Sequence, residues 1–313
     1  MKALVTTGAD GNGLELVDID EPKPQSNEAV VRLRTTSVNR GEVAHLFDEE
    51  PGQILGWDVA GDVAEPAADG SGPTMGQRVV GIVESHAWAE LVCVPTHAMS
   101  LLPDEVSYAA ASVLPIAGLT AWRALELGGL LLGRDVLITG AAGGVGRLAI
   151  QLATLSGARV TAVVGRPERM DGLRELGAAE VAVGIEQVLG RYDLILESVG
   201  GPSLARSMEL LSAEGTLVTF GRSSGELAKI DSGWFGAHSG ARVEGLLVFT
   251  EVAQRRLGTR QLVALARLVA SGKLDPQIVK ETSWRNPMPV VDELLARTVP
   301  GRWYCVSTNA TNA

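Results

Sequence analysis

Two rhythms of hydrophobic and polar positions divide the chain. Up to about residue 110 the apolar residues come in short β-rich runs, KALVTT, LELVDID, EAVVRLRTTSV, DVAGDVAEP, QRVVGIV and WAELVCVP, separated by Gly, Pro, Asp and Asn. Runs of this kind predict a mostly antiparallel, barrel-like β domain. From Asp135 onward DVLIT, VGRLAIQLATLSG, RVTAVVG, PERMDGLRELG, EVAV, DLILESVG, PSLARSMELLSAEG and TLVTFG alternate strand-length with helix-length segments. That alternation predicts βαβ crossovers and a doubly wound α/β fold, a parallel sheet with helices on both faces. Between the two, SYAAASVLPIAGLTAWRAL (107–125) turns to small and apolar residues at helical spacing, with a break expected at Pro115 and a helix junction at Gly118. A further strand, RVEGLLVF, then an amphipathic helix, TRQLVALARLVASG, precede a last helix and strand expected to return to the first domain, and TNATNA is expected to be a frayed tail.

The glycine burst in VLITGAAGGVGRLAI (136–150) falls at a strand-to-helix turn inside a βαβ unit. A loose Gly-x-Gly-x-x-Gly match is weak alone, and this context strengthens it toward a dinucleotide-binding turn. Ala141 stands where the pattern has its first glycine. Gly143 would let backbone N–H groups approach a pyrophosphate, and Gly146 would let the helix pack closely on the strand. The phosphates then face a helix N-terminus, where unpaired N–H groups and the macrodipole favour negative charge. A structural turn without ligand is the competing reading. A Walker-type P-loop is excluded, because Gly-Lys-[Ser/Thr] is missing.

The end of the second strand decides between dinucleotides, since NAD-binding proteins place Asp or Glu there for the ribose 2′-OH. Here the strand runs into Gly165 and Arg166, with Arg169 one turn on, and no carboxylate occupies the strand end. Guanidinium groups suit a 2′-phosphate through charge-assisted bonds, so NADPH is expected over NADH. The alternative is a pair of solvated arginines at a helix start.

Charge and composition narrow the partners. With 37 acidic against 27 basic side chains the formal charge is −10, which gives no general attraction for nucleic acid or anionic membranes. The longest apolar stretches, such as 136–138 and 246–249, are far too short to span a bilayer. MKALVTTGADGNG reads as a strand and turn rather than a signal peptide, and a cytoplasmic location is expected. The two cysteines, Cys93 and Cys305, build neither a disulfide framework nor a zinc lobe. His45, His86, His97 and His238 lack the short pairings of helical metal sites, which leaves a convergence of His86 and His97 in space; no metal is expected.

Taken in order, VRLRTTSVNRGEV (31–43), ILGWDVAGDV (54–63), GQRVVGI (76–82), WAELVCVP (88–95), AASVLPIAGLTAWRAL (110–125), the glycine turn, DLILESVGG (193–201), GTLVTFGRSSG (215–225) and RTVPGR (297–302) resemble the medium-chain dehydrogenase/reductase superfamily, and within it the zinc-independent quinone oxidoreductase branch. The likeness covers nearly the whole chain. It implies a GroES-like β-barrel domain built from both chain ends, 1–112 with 256–313, and an inserted NADP-binding Rossmann domain, 113–255, with the cofactor in the cleft between them. It assigns Asn39 and Thr120 to the nicotinamide and substrate end. Gly143, Gly144, Val145 and Gly146 match the pyrophosphate turn, and Gly165, Arg166 and Arg169 match the 2′-phosphate site, which Arg297 approaches in some members. Phe220, Gly221, Ser223, Leu247 and Phe249 match segments lining the nicotinamide half. For Asn39 and Thr120 a turn former and a helix cap are the alternatives. The resemblance also implies a homodimer formed through the last Rossmann strand, ARVEGLLVF (241–249).

Two departures from the family pattern stand out. Zinc alcohol dehydrogenases of this superfamily carry Gly-His-Glu with an upstream cysteine ligand, whereas this chain has Gly56-Trp57-Asp58 and Ser37-Val38-Asn39. The segment after the Asn motif, EVAHLFDEEPGQ, is short and lacks the tyrosines common in quinone oxidoreductases. Without zinc no strong Lewis acid polarises an alcohol or ketone, so easily reduced acceptors are expected: quinones and α,β-unsaturated carbonyls, with Asn39 and Thr120 as hydrogen-bond donors to an enolate oxygen. His45 and Asp48 in the short loop are further polar groups near that end. An enoyl reductase acting on a bulky or carrier-bound thioester is one alternative; a non-catalytic NADPH-binding sensor is another.

Overall fold

The computed structural model describes residues 1–296, apart from 9, 10, 12, 45 and 48, together with 303–307. The chain divides into two compact units, Met1–Leu119 with Val248–Ala313, and Thr120–Leu247. These bounds differ from those that the resemblance implies at residues 113–119 and 248–255, which here pack with the first unit.

The first unit opens with β1 (Lys2–Thr6) and β2 (Leu14–Asp18), an antiparallel pair. β3 (Glu28–Ser37) leads into the short helix α1 (Arg40–Ala44), and β4 (Asp58–Glu65), β5 (Arg78–Ile82), β6 (Leu91–Pro95) and β7 (Met99–Leu101) follow. The sheet runs β3-β4-β5-β7 antiparallel, with β6 also on β3. Alternate residues of these strands, Ala29, Val31, Leu33, Val59, Val79, Val92 and Val94 among them, meet in one buried cluster, as β-branched side chains on a pleated surface do.

Helix α2 (Tyr108–Ser112) is capped by Ser107, whose hydroxyl accepts from Ala110 N–H. Pro115 does not break the helix that follows. Leu114–Gly118 form a π turn, in which the Leu119 N–H reaches back to the Leu114 carbonyl, and α3 (Leu119–Leu127) continues from it. The second unit then builds β8 (Asp135–Ile138), α4 (Gly144–Leu155), β9 (Arg159–Val164), β10 (Glu180–Val183), β11 (Tyr192–Glu197), α5 (Gly201–Leu210), β12 (Leu211–Thr219) and β13 (Arg242–Gly245). Its sheet is parallel throughout, in the order β10-β9-β8-β11-β12-β13. This is the Rossmann order, with the switch point between β8 and β11.

Two expected elements differ. PERMDGLRELG forms a 3₁₀ turn at Pro167–Arg169 followed by further turns rather than an α-helix, because Pro167 opens it and Gly172 takes a left-handed φ of 73°. Leu173 still buries fully and so does part of the covering work of a crossover helix. The strand expected over RVEGLLVF stops at Gly245, and Val248–Ala253 form helix α6.

The returning segment adds α6, α7 (Thr259–Ala270), β14 (Ile278–Ser283), α8 (Met288–Leu295) and β15 (Trp303–Ser307) to the first unit. β15 pairs antiparallel with β3, and β14 parallel with β15. Gly118 is the expected helix junction: a Cβ there would stand 2.9 Å from Leu265 of α7.

Candidate functional site

In the second unit the sequence-marked residues gather at the C-terminal ends of the strands, where open α/β sheets bind ligands. Gly143 caps α4 without a side chain, leaving the first N–H groups of the helix uncovered on that side, and Gly144 and Val145 form its half-exposed first turn. Gly146 cannot carry a Cβ, which would lie 2.6 Å from the Ala141 carbonyl oxygen. Helix α4 therefore sits close on the turn, with its N-terminus at the C-terminal end of β8. Gly165, just past β9, has open space where its Cβ would be, Arg166 is exposed on extended backbone, and Arg169 closes the 3₁₀ turn.

A buried carboxylate organises the neighbouring strand ends. Glu197, fully buried at the end of β11, accepts from Val199 N–H at 3.0 Å, from Gly200 N–H at 3.1 Å, and from the Thr139 and Ser203 hydroxyls. These bonds satisfy N–H groups at the start of α5, where negative charge is stabilised. Phe220 N–H and Ser223 N–H bond to the carbonyls of Glu197 and Ser198, and Gly221 packs where a Cβ would be 2.8 Å from the Ser198 carbonyl oxygen. Sequence reading missed Glu197 and Gly140. The latter has φ 57° and would place a Cβ 2.4 Å from Ser198 Oγ; their signal was an acidic residue and paired glycines at strand ends. Thr120 is buried in the first turn of α3, and Leu247, just past β13, is 59% exposed.

In the first unit Asn39, Ser37, Glu42 and Asp58 form a buried polar cluster. β3 ends at Ser37 and β4 begins at Asp58, which brings the two residues together; the Ser37 hydroxyl donates to Asp58 Oδ2. Asn39 Nδ2 donates to the same oxygen at 2.6 Å and to Ser37 Oγ at 3.3 Å. Asp58 Oδ1 takes the Ile116 N–H, from within the π turn, at 2.8 Å. Glu42 Oε2 accepts the Asn39 backbone N–H at 2.5 Å, half of a capping box at the start of α1. Burial pushes the Asp58 carboxyl up to about 6, against the opposing pull of Ser37, Asn39 and Ile116. Burial and the Asp58 charge hold Glu42 well above the ordinary carboxylate range. Asn39 Nδ2 is thus engaged by Ser37 and Asp58, and the Asn39 side chain also acts on Glu42.

Ser37, Trp57 and Asp58 occupy the sequence positions that match the Cys and Gly-His-Glu ligand motifs of the zinc enzymes. Ser37 and Asp58 are bonded to each other. The Trp57 ring packs over Gly41, where a Cβ would lie 2.7 Å from it, and meets Phe249 of α6 edge-on. Among the described residues no group of three His, Cys, Asp or Glu could hold a metal ion. His86 and His97 do not make such a group, but both line a cavity of about 850 Å³ in the first unit, walled by Ile54, Val83, Leu91, Phe249 and Val252. Its size is that of a small-molecule site. Arg297, His45 and Asp48 lie outside the described residues.

Comparison with known proteins follows this division. Residues 25–104 match the alcohol dehydrogenase GroES-like domain family and residues 144–257 the zinc-binding dehydrogenase family. A chloroplast envelope quinone oxidoreductase homolog of Arabidopsis thaliana is 35% identical over 190 residues, 56% of this chain and 57% of that protein. A mycocerosic acid synthase-like polyketide synthase of Mycobacterium tuberculosis is 30% identical over 239 residues, 71% of this chain but only 11% of that much longer protein. Among solved structures, the quinone oxidoreductase from Coxiella burnetii superposes with a TM-score of 0.82 at 26% identity, covering 99% of both chains. The Escherichia coli quinone oxidoreductase complexed with NADPH gives 0.83 at 21% identity, covering 97% of this chain and 99% of that one. The parallel Rossmann sheet, the antiparallel GroES-like sheet and these matches together place the chain: it belongs to the medium-chain dehydrogenase/reductase superfamily, in its quinone oxidoreductase-like branch.

Proposed function

We propose that the chain is an NADPH-dependent oxidoreductase that reduces a quinone or an α,β-unsaturated carbonyl compound without a metal. The observation that carries this reading is the replacement of the zinc ligand set by a hydrogen-bonded Ser37–Asp58 pair and a packed Trp57. With no Lewis acid to polarise a plain ketone, the substrate itself must be electrophilic enough to take a hydride once positioned. NADPH supplies that hydride when bound.

The residues of the second unit divide the work of holding it. Gly143, Gly144, Val145 and Gly146 present helix N–H groups to the pyrophosphate, and Gly165 leaves room beside Arg166 and Arg169 for the 2′-phosphate. Phe220, Gly221, Ser223 and Leu247 are the residues of this unit that the resemblance gives to the nicotinamide half. Asn39 of the first unit and Thr120 of the second are the residues that the resemblance gives to the reacting end. The NADPH complex of the Escherichia coli protein, a relative in fold, supports the choice of cofactor. β13 is the outer strand of its sheet, and the exposed Val243 within it and Leu247 just past it support a homodimer through that edge.

A second reading, an enoyl reductase on a bulky or carrier-bound thioester, is favoured by the polyketide synthase relative and by the short, tyrosine-free loop after Asn39. Purified protein assayed for NADPH and NADH oxidation against quinones, enones and enoyl thioesters separates the readings. Turnover of quinones or enones with NADPH is the expected result. Turnover confined to thioesters selects the second reading, and NADPH binding without turnover overturns both.

A further inference from the structure

Within the second unit, the segment that follows β9 is tied down by one side chain of helix α4. Arg147, in the first turn of that helix, is only 1% exposed, and its Nη2 donates to the Asp171 carbonyl at 2.8 Å. In an α-helix that carbonyl would take the Glu175 N–H. Here the guanidinium takes it, and the chain turns at Gly172, where a Cβ would stand 3.4 Å from Arg147 Nη1. Arg147 is itself fixed on the helix: its backbone N–H donates to the Gly143 carbonyl at 2.9 Å, and its carbonyl accepts from Gln151 Nε2 at 3.2 Å. A guanidinium is costly to bury unless its N–H groups are bonded, so the bond holds cation and carbonyl to each other.

Residues 165–171 are thereby anchored at both ends, by β9 and by α4, and the exposed Arg166 and half-buried Arg169 lie between the anchors. Between them the backbone is held by short-range turns, Arg169 N–H to the Arg166 carbonyl at 3.1 Å and Met170 N–H to the Pro167 carbonyl at 3.0 Å. Leu173 buries fully just beyond, but apolar burial has no direction; the Arg147 bond supplies one. We propose that Arg147 is a positioning residue, which fixes the segment carrying Arg166 and Arg169 against the start of α4 and so makes the site select a dinucleotide with a 2′-phosphate. The inference rests on the NADPH reading and deepens it: Arg147 acts through those two side chains and not through its own charge.

NADPH and NADH differ only in the 2′-phosphate, so the ratio of their dissociation constants, measured by direct binding to the full chain, reads the selection. Arg147→Met removes the donor to Asp171 and keeps an unbranched side chain of similar reach along the helix. It should lower the preference for NADPH by about five- to tenfold and leave NADH binding nearly unchanged, with folding followed by circular dichroism. A purely structural role would weaken both cofactors alike and leave the ratio where it was. The same substitution in a chain that already carries Arg166→Ala and Arg169→Ala should lower the ratio no further, because a residue that acts through others has no effect once they are gone.

A ratio unchanged in folded Arg147→Met overturns the proposal. So does a loss of the same size in the Ala background, which would mean that Arg147 meets the phosphate with its own charge. If Arg147→Met does not fold, Arg147→Gln, whose shorter side chain stops short of the Asp171 carbonyl, decides by the same ratio: a preference lost supports the proposal, and one kept overturns it. An unmodified protein that binds NADPH no better than NADH is a different failure, which removes the NADPH reading itself and this inference with it.

Discussion

The Trp57 and Phe249 rings meet edge to face, with centroids 5.2 Å apart and planes inclined at 74°. Such pairs contribute about 0.5–1.5 kcal/mol beyond the area they bury. The contact ties the start of β4 to α6, and it puts a large apolar side chain in the position where a zinc-dependent relative offers an imidazole.

The proposed metal independence can be tested at that position. Activity with a quinone or enone acceptor should survive exhaustive chelation, and Trp57→His should not create a zinc enzyme, since Ser37 and Asp58 remain bonded to each other. Elemental analysis showing stoichiometric zinc, with activity lost on its removal, would count against this.

In the proposed reading, cofactor choice rests on Arg166 and Arg169. Replacing both with Ala should weaken NADPH binding by about 1.5–3 kcal/mol for each charge-assisted bond lost and leave NADH binding nearly unchanged. Titration calorimetry with the two cofactors distinguishes this from a general loss, in which both would weaken equally.

Asp58 makes stability depend on pH in an unusual direction. Its carboxyl is raised from 3.8 to about 6 in the folded chain, so between those values the native state holds a proton that the unfolded chain has released. The stabilisation is full below pH 4 and disappears as pH rises through 6. Measured against Asp58→Asn by denaturant unfolding, the original chain should gain about 2 kcal/mol on going from pH 7 to 4.5. A difference that stays flat or reverses over that range contradicts the burial-driven shift.

Self-association should occur through the edge strand β13. Light scattering at micromolar concentration should give about twice the 32.8 kDa chain mass, and Leu247→Lys should halve it without changing the circular dichroism spectrum. A single-chain mass for the unmodified protein rules this out.

The parallel sheet was legible in the sequence because its inner strands are buried on both sides and read as unbroken apolar runs, and the turn before α4 because glycine is compulsory there: Gly146 has backbone 2.6 Å from where a Cβ would go. The stretch 167–176 misled because Leu173 and its neighbours have helical spacing, and one left-handed glycine outweighs it. The Asn39–Asp58 bond could not be read, since it joins residues 19 apart through the pairing of two strands. Glu197 looked like one more acid in an acidic chain, and only its burial reveals five donor contacts from the backbone and hydroxyls around it.

The π turn at Leu114–Gly118 has an evolutionary consequence. A π turn amounts to a helix that has accepted one residue more than its regular repeat, and each residue advances an α-helix by about 100°. Deleting a single residue from this stretch would regularise the helix and carry Thr120 roughly a quarter to a third of the way round its axis, while taking away the Ile116 N–H that Asp58 holds. Length variation, harmless in most surface loops, is therefore costly here, whereas a change of side chain that keeps the number of residues leaves the turn's backbone bonds in place.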